Sequence, residues 1–268
     1  MSANLNEFQN ATVGMVAGIV EVLILQPLNY AKNMTQQKQP ISMNPMVMYR
    51  GVGANCVNMG SCTMVQFVVG GKLQQTVLNG QDRQLTAAEE MGCGLGAGFV
   101  SALVGSPLEL VMIQQQRKGH STLATLQAIA TPNNFFRGFI GAAVREALWT
   151  CGYLSIPPIV RRSLMESNPE TFNTPEKARV PAALLGALFG CYLTHPFDTV
   201  KTCMQGDIER STYGTFTKSA QHIWSNNGGL FGFYRGATFR YGRMVVAVFL
   251  LDSLKEIVGP LLYPHAYK

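Results

Sequence analysis

Charge is scarce in this chain. Only 13% of its 268 residues are Asp, Glu, Lys or Arg, about half of the ~25% typical of a soluble domain. A surface so poor in charge does not suit a water-soluble fold of this length. Mean hydropathy is only +0.11, too low for a simple apolar anchor, so several spans around a polar interior fit better. The net charge of +6 is dispersed, and no basic run with interleaved aromatics appears. Nucleic acid is therefore excluded as a partner, and the excess suits an anionic lipid surface.

Metal-ligand patterns are also missing. The six cysteines, Cys56, Cys62, Cys93, Cys151, Cys191 and Cys203, lie in apolar, Gly-rich runs and form no CxxC. They read as small buried residues rather than disulfides or ligands. His120, His195, His222 and His265 show no ligand spacing. No nucleophile–base set stands out, which excludes an enzyme and implies neither metal nor cofactor. The first ten residues hold no Lys or Arg, so no secretory signal or transit peptide is expected and any address lies in the rest of the chain.

What is present is a repeat. Prolines at 27, 107 and 196 recur at spacings of 80 and 89 residues, which settles the organisation before any single motif is read. Two residues after each proline stand Asn29, Glu109 and Asp198; five after, Lys32, Met112 and Lys201; nine after, Gln36, Gln116 and Gln205. A second element follows each proline and opens another apolar run: Tyr49-Arg50-Gly51, Phe136-Arg137-Gly138 and Tyr234-Arg235-Gly236. Each repeat thus reads as helix, connector, helix, and the boundaries fall at 1–79, 80–166 and 167–268.

The helix starts carry local signals. Thr86-Ala87-Ala88-Glu89 is a capping box, and Thr174-Pro175 fits N-cap and first turn. Gly14xxxGly18, Gly94xxxGly98 and Gly186xxxGly190 predict close helix approach. The apolar run before each proline spans a bilayer only if it continues through the proline, since about 20 residues are needed. Pro27, Pro107 and Pro196 are then expected to kink these helices. The second helices run roughly over 51–78, 138–163 and 236–258. From proline to the glycine of the second element the connectors measure 24, 31 and 40 residues. A connector helix is predicted over 216–224, a remnant over 123–130, and none over 40–45.

These repeats, with Px[DE]xx[KR], the glutamine and the aromatic-Arg-Gly in register, resemble the mitochondrial carrier family over nearly the whole chain. The resemblance implies an all-α membrane fold of six transmembrane helices in a pseudo-threefold barrel, in the mitochondrial inner membrane, with termini toward the intermembrane space. It implies a matrix gate in which Glu109 pairs with Lys201 and Asp198 with Lys32. Asn29 and Met112 occupy the third pair, where both charges are missing together. That loss strands no lone charge in the membrane. Gln36, Gln116 and Gln205 match the family's brace across the bridges. Gly51, Gly138 and Gly236 match its cardiolipin sites at helix starts, with Gly51 the weakest because its connector is shortest.

The resemblance also places solute contacts on the second helices: Asn58, Arg145 and Arg243, with Arg240 close by, and Gln66 lining the same open cavity. Arg145 followed by Glu146 is similar to the amino-acid type, and the short first connector also suggests the S-adenosylmethionine type. An Arg beside a Glu holds a carboxylate and an ammonium together, although neighbours on a helix do not face the same way. The family's outer gate is thin here. Asp252 and Lys255 fit it; Pro158 with Arg161, and Gly71 with Gln74, do not. Two functions follow. One is a carrier moving a small anionic or zwitterionic metabolite by alternating access. The other is a transport-inactive structural subunit of a respiratory or ATP-synthase complex.

Overall fold

The computed structural model describes residues 7–266, apart from some side chains within them. Twelve α-helices, labelled in chain order, form the described chain, and no strand occurs among its described residues. The first, α1, runs over Glu7–Gln36, and a single turn, α2, over Pro45–Met48. Then come α3 (Val52–Leu78), α4 (Ala87–Lys118), α5 (Thr122–Ile129) and α6 (Pro132–Phe135). Next are α7 (Phe139–Thr150), a π-helical turn (Cys151–Ser155) and α8 (Ile156–Ser167). The chain ends with α9 (Pro175–Gly206), α10 (Phe216–Asn226), α11 (Leu230–Phe233) and α12 (Ala237–Leu262), closed by a short 3₁₀ turn.

Local chemistry sets several boundaries. Thr86 accepts from the Glu89 amide and Glu89 reaches back to the Thr86 amide, so the capping box is complete. Thr174 starts α9 with Pro175 in the first turn, but its side chain makes no capping bond. The π turn between α7 and α8 precedes Pro157-Pro158, two residues that donate no amide hydrogen. A widened turn there, with the Ile156 amide on the Cys151 carbonyl, absorbs that loss. The predicted single helix over 138–163 is thus two helices joined by this turn.

Pro27, Pro107 and Pro196 all lie inside continuous helices. Each removes an amide donor from the turn before it. At Pro196 the orphaned carbonyl is that of Tyr192, and the Tyr234 hydroxyl donates to it at 3.4 Å.

α1 packs on α3 and on α12, α3 on α4, α4 on α7, α7 and α8 on α9, and α9 on α12. Small residues permit the closest of these contacts. A side chain at Gly98 would meet the Glu146 carbonyl at 2.5 Å and Ala147 Cα at 2.6 Å. A side chain at Gly186 would likewise meet the Gly152 carbonyl at 2.5 Å. Gly14 has nothing within 4 Å and Gly18 only Met59 at 3.7 Å. The first Gly-xxx-Gly is therefore not a packing seam, and the other two are.

By length and composition four helical stretches among the described residues are apolar enough to cross a membrane: Thr12–Gln36, Pro45–Leu78, Ala87–Lys118 and Pro175–Gly206. The connectors differ as the spacing predicts: one turn in the first repeat, eight residues of helix in α5, eleven in α10.

The last two connectors are stitched by a buried arginine. Arg137 donates to the carbonyls of Met204 (3.1 Å), Asp207 (3.0 Å), Gly214 (2.8 Å) and Tyr213. Asp207 in turn accepts from the amides of Thr212 and Tyr213, both at 2.8 Å. Burial works against the Asp207 carboxylate, but these amide bonds outweigh it and hold its pKa below the usual value.

Candidate functional site

The two charged pairs read from the repeat are formed. Lys32 Nζ lies 2.8 Å from Asp198 Oδ2, and Lys201 Nζ lies 2.8 Å from Glu109 Oε2. They join α1 to α9 and α4 to α9. The +2 and +5 positions fall one turn apart on a helix, so acid and base share the inward face. At the third position the Asn29 amide touches Met112 Sδ at 3.4 Å, joining α1 to α4 without charge. Gln36 sits on a bridge, donating to Asp198 Oδ2 at 2.9 Å and Thr199 Oγ1 at 3.2 Å. Gln116 accepts instead from Asn33 at 2.7 Å, and Gln205 donates to the Ser106 carbonyl at 3.2 Å. Neither of these two touches a bridge.

The second helices begin in a common way. Gly51, Gly138 and Gly236 cap α3, α7 and α12 with φ of 77°, 76° and 73°, a conformation that disfavours any side chain. Each packs on the +5 residue of the next repeat in cyclic order. A Cβ would meet the Met112 carbonyl at 2.9 Å, the Lys201 carbonyl at 3.3 Å and the Lys32 carbonyl at 3.1 Å respectively. The residue before each proline was overlooked in the sequence. Gln26 donates to the Arg50 carbonyl at 3.3 Å, and His195 Nε2 lies 2.9 Å from the Arg235 carbonyl. The available signal was that this position, Gln26, Ser106 and His195, is polar three times inside an apolar run.

The residues expected to line an open cavity are turned on one another. Arg145 Nη2 lies 2.9 Å from Glu109 and 2.6 Å from Glu146, and its Nε lies 3.7 Å from Asp198. Gln66 donates to Glu146 at 2.7 Å and to Ser101 at 3.1 Å. Asn58 accepts a weak bond from Cys62 at 3.3 Å. Gln66 and Glu146 are 3% and 6% exposed, so in this conformation no open cavity reaches them. Arg145 and Glu146 meet despite being neighbours, because a guanidinium on a long stem bends back over its own helix.

Arg243 lies 3.2 Å from Glu21 of α1. Glu21, 2% exposed, was visible only as the lone acid interrupting the run from Thr12 to Leu25. Arg240 donates to Thr194 Oγ1 at 2.6 Å, lies over the Trp149 ring at 5.7 Å, and stands 3.9 Å from Asp198. The side chains of Asp252 and Lys255 lie outside the described residues. At the other end of the molecule Leu78, Arg83, Glu90, Arg161, Arg162 and Pro175 help line a cavity of about 480 Å³. There Arg162 forks onto Glu90 at 3.0 Å through both nitrogens.

A bilayer-length helix set with a buried chain of ion pairs suits a membrane protein whose interior must rearrange. The family description "mitochondrial carrier protein" matches residues 177–265. Over most of its length the chain is similar to curated transporters. The glycine transporter YMC1 of Saccharomyces cerevisiae is 23% identical over 87% of this chain and 84% of that protein. A probable mitochondrial 2-oxodicarboxylate carrier of Dictyostelium discoideum is 24% identical over 95% and 91%. Citrate transporter A of Aspergillus niger is 24% identical over 94% and 91%. The chain is similar to mitochondrial carriers, in its last third by the family description and over most of its length by these relatives.

Proposed function

We propose that the protein carries a small anionic or zwitterionic metabolite across the mitochondrial inner membrane by alternating access. The observation that carries this reading is the buried chain Glu146–Arg145–Glu109–Lys201–Asp198–Lys32, a set of ion pairs with shared partners. Shared partners let bonds exchange rather than break outright, so charges remain compensated as the gate opens. Lys32, Glu109, Asp198 and Lys201 form the gate, with Gln36 as its brace. Asn58, Gln66, Arg145, Glu146 and Arg240 line the path inward of it. The relatives named for glycine, 2-oxodicarboxylates and citrate all carry carboxylates, which agrees with guanidiniums at this site.

The finer layout belongs to the same reading. Three repeats, 1–79, 80–166 and 167–268, form a six-span barrel, with α7 and α8 as one span and α12 as the last. The cyclic packing of Gly51, Gly138 and Gly236 on the next repeat supports it. The gate faces the matrix and the termini face the intermembrane space. Cardiolipin phosphate binds at the starts of α7 and α12, where connector helices stand nearby. The start of α3 has only the single turn of α2 beside it and binds lipid least. Nothing in the relatives favours a transport-inactive subunit of a larger complex.

Purified protein in proteoliposomes should take up at least one of glycine, 2-oxoglutarate and citrate. Arg145→Ala should abolish that uptake. Because it also strips Glu109 and Glu146 of a partner, Arg145→Lys serves as its companion and should retain part of the rate. Uptake undiminished in Arg145→Ala contradicts the assignment.

A further inference from the structure

Resting on the carrier reading, we infer that a second, uncharged gate lies one turn beyond the ion pairs, and that its Asn33–Gln116 hydrogen bond latches the seam that the missing third pair leaves without charge. Asn33 and Gln114, which belong to no repeated motif, are positioning residues of this gate, and Gln116 is a latch rather than a brace.

The charged ring closes two seams of three. Lys32–Asp198 joins α1 to α9, and Glu109–Lys201 joins α4 to α9. Between α1 and α4 at that level Asn29 rests on Met112 at 3.4 Å, an amide on a thioether sulfur, which is a weak acceptor. One turn nearer the C-terminal ends of the same helices, all three seams carry hydrogen bonds. Asn33 donates to Gln116 Oε1 at 2.7 Å, between α1 and α4. Gln114 donates to the carbonyls of Gln205 at 2.5 Å and Gly206 at 3.1 Å, between α4 and α9. Cys203 donates to the Gln36 carbonyl at 3.3 Å, between α9 and α1. Asn33 and Gln116 are 0% and 2% exposed, so their bond is made away from water.

A carboxamide withdrawn from water is costly unless it is hydrogen-bonded. An amide on each side of one seam is therefore a directional link, whereas an apolar pair would fill the space with no bond to lose when the helices part. The link is weaker than an ion pair. A neutral buried hydrogen bond shifts a two-state equilibrium roughly two- to tenfold, while parting a charged seam leaves charges facing a dry interior. α1 and α4 therefore separate first, with α9 still tied to both. The ring is also poised for water. Asn33 Oδ1, Gln36 Oε1, Gln37 Oε1, Gln116 Nε2 and Gln205 Oε1 are buried without a hydrogen-bond partner in this closed arrangement. Water admitted at the seam satisfies them, which offsets part of what opening loses.

The test reads the seam directly. Cysteines at 38 and 120, exposed positions just past the ends of α1 and α4, carry spin labels in a background where the six native cysteines are replaced. Pulsed electron–electron distance measurements on the full chain in cardiolipin-containing nanodiscs give the ratio of far to near populations. They are made with and without glycine, 2-oxoglutarate and citrate. Asn33→Leu with Gln116→Met removes both amides, and should raise the far-to-near ratio roughly two- to tenfold while melting close to wild type. Asn33→Asp with Gln116→Arg puts an ion pair on the seam, and should lower the ratio and slow uptake in proteoliposomes. Asn33→Gln with Gln116→Asn restores an amide to each side and should bring the ratio back toward wild type. If the apolar pair does not accumulate, Asn33→Ala alone removes the donor and should raise the ratio.

Opposite shifts in the apolar and charged pairs are the signature of a latch, since a merely structural role moves both the same way. An unmoved ratio in the apolar pair and in Asn33→Ala, with uptake intact, overturns the latch alone, and so do shifts of the same sign in the apolar and charged pairs. A wild-type protein that takes up none of the three probes, and whose distances none of them changes, removes the carrier reading, and the latch falls with it.

Discussion

Asp198→Asn is expected to be among the most damaging single exchanges in the chain. The Asp198 carboxylate is 2% exposed, with Lys32, Lys201, Arg145 and Arg240 at 2.8, 3.4, 3.7 and 3.9 Å. Removing it leaves those cations facing one another in a dry interior. Breaking one partner out of a buried pair costs roughly 3–5 kcal/mol, a large share of the ~5–15 kcal/mol that holds a folded protein together. The variant should accumulate poorly in membranes, and what is purified should melt well below wild type. Adding Lys32→Met removes one stranded cation and should recover part of the loss. Equal melting of wild type and Asp198→Asn would show that the charge set contributes nothing.

The same sharing limits a simple charge swap. Glu109→Lys alone should be severe, and Lys201→Glu added to it should restore the protein only partly. The new lysine at 109 would face Arg145, now 2.9 Å from Glu109, and the new glutamate at 201 would face Asp198.

Gly98→Leu is expected to have the second large effect. Its Cβ would lie 2.5 Å from the Glu146 carbonyl, 2.6 Å from Ala147 Cα and 2.7 Å from Thr150 Oγ1. Two of these are backbone atoms of α7, so the side chain fits only if α4 and α7 separate. Overpacking of this kind costs about 1–3 kcal/mol, occasionally more. Here it also moves the residue beside Arg145, so uptake should fall along with melting temperature. Gly14→Leu is the control, with nothing within 4 Å of its Cβ, and should melt close to wild type.

The two charged pairs were legible in the sequence because three copies of one motif constrain each other. The +2 acid and +5 base mark one helix face, and the paired absence at Asn29 and Met112 marks which helices meet there. The Asn29–Met112 contact at 3.4 Å is what that absence leaves. The interior beyond these pairs was less legible. Helical spacing separates Arg145 from Glu146, yet a flexible guanidinium reaches both Glu146 and Glu109. Such reach has no period to read. Glu21 gave no motif, only an interruption, and its partner lies 222 residues away. The Gly-xxx-Gly patterns were equal in sequence and unequal in structure, because packing depends on what stands opposite. The break between α7 and α8 was written in Pro157-Pro158, whose missing amides demand a wider turn.

If the protein works by opening the end closed by the gate, then fixing the α1–α4 seam must stop it. Asn29 and Met112 meet there at 3.4 Å and carry no charge whose loss would confuse the result. Cysteines at 29 and 112, in a background where the six native cysteines are replaced, can be joined by a short reducible thiol cross-linker and assayed in proteoliposomes. Uptake should vanish on cross-linking and return on reduction. A cross-linked protein that transports at the rate of the free one would contradict the account.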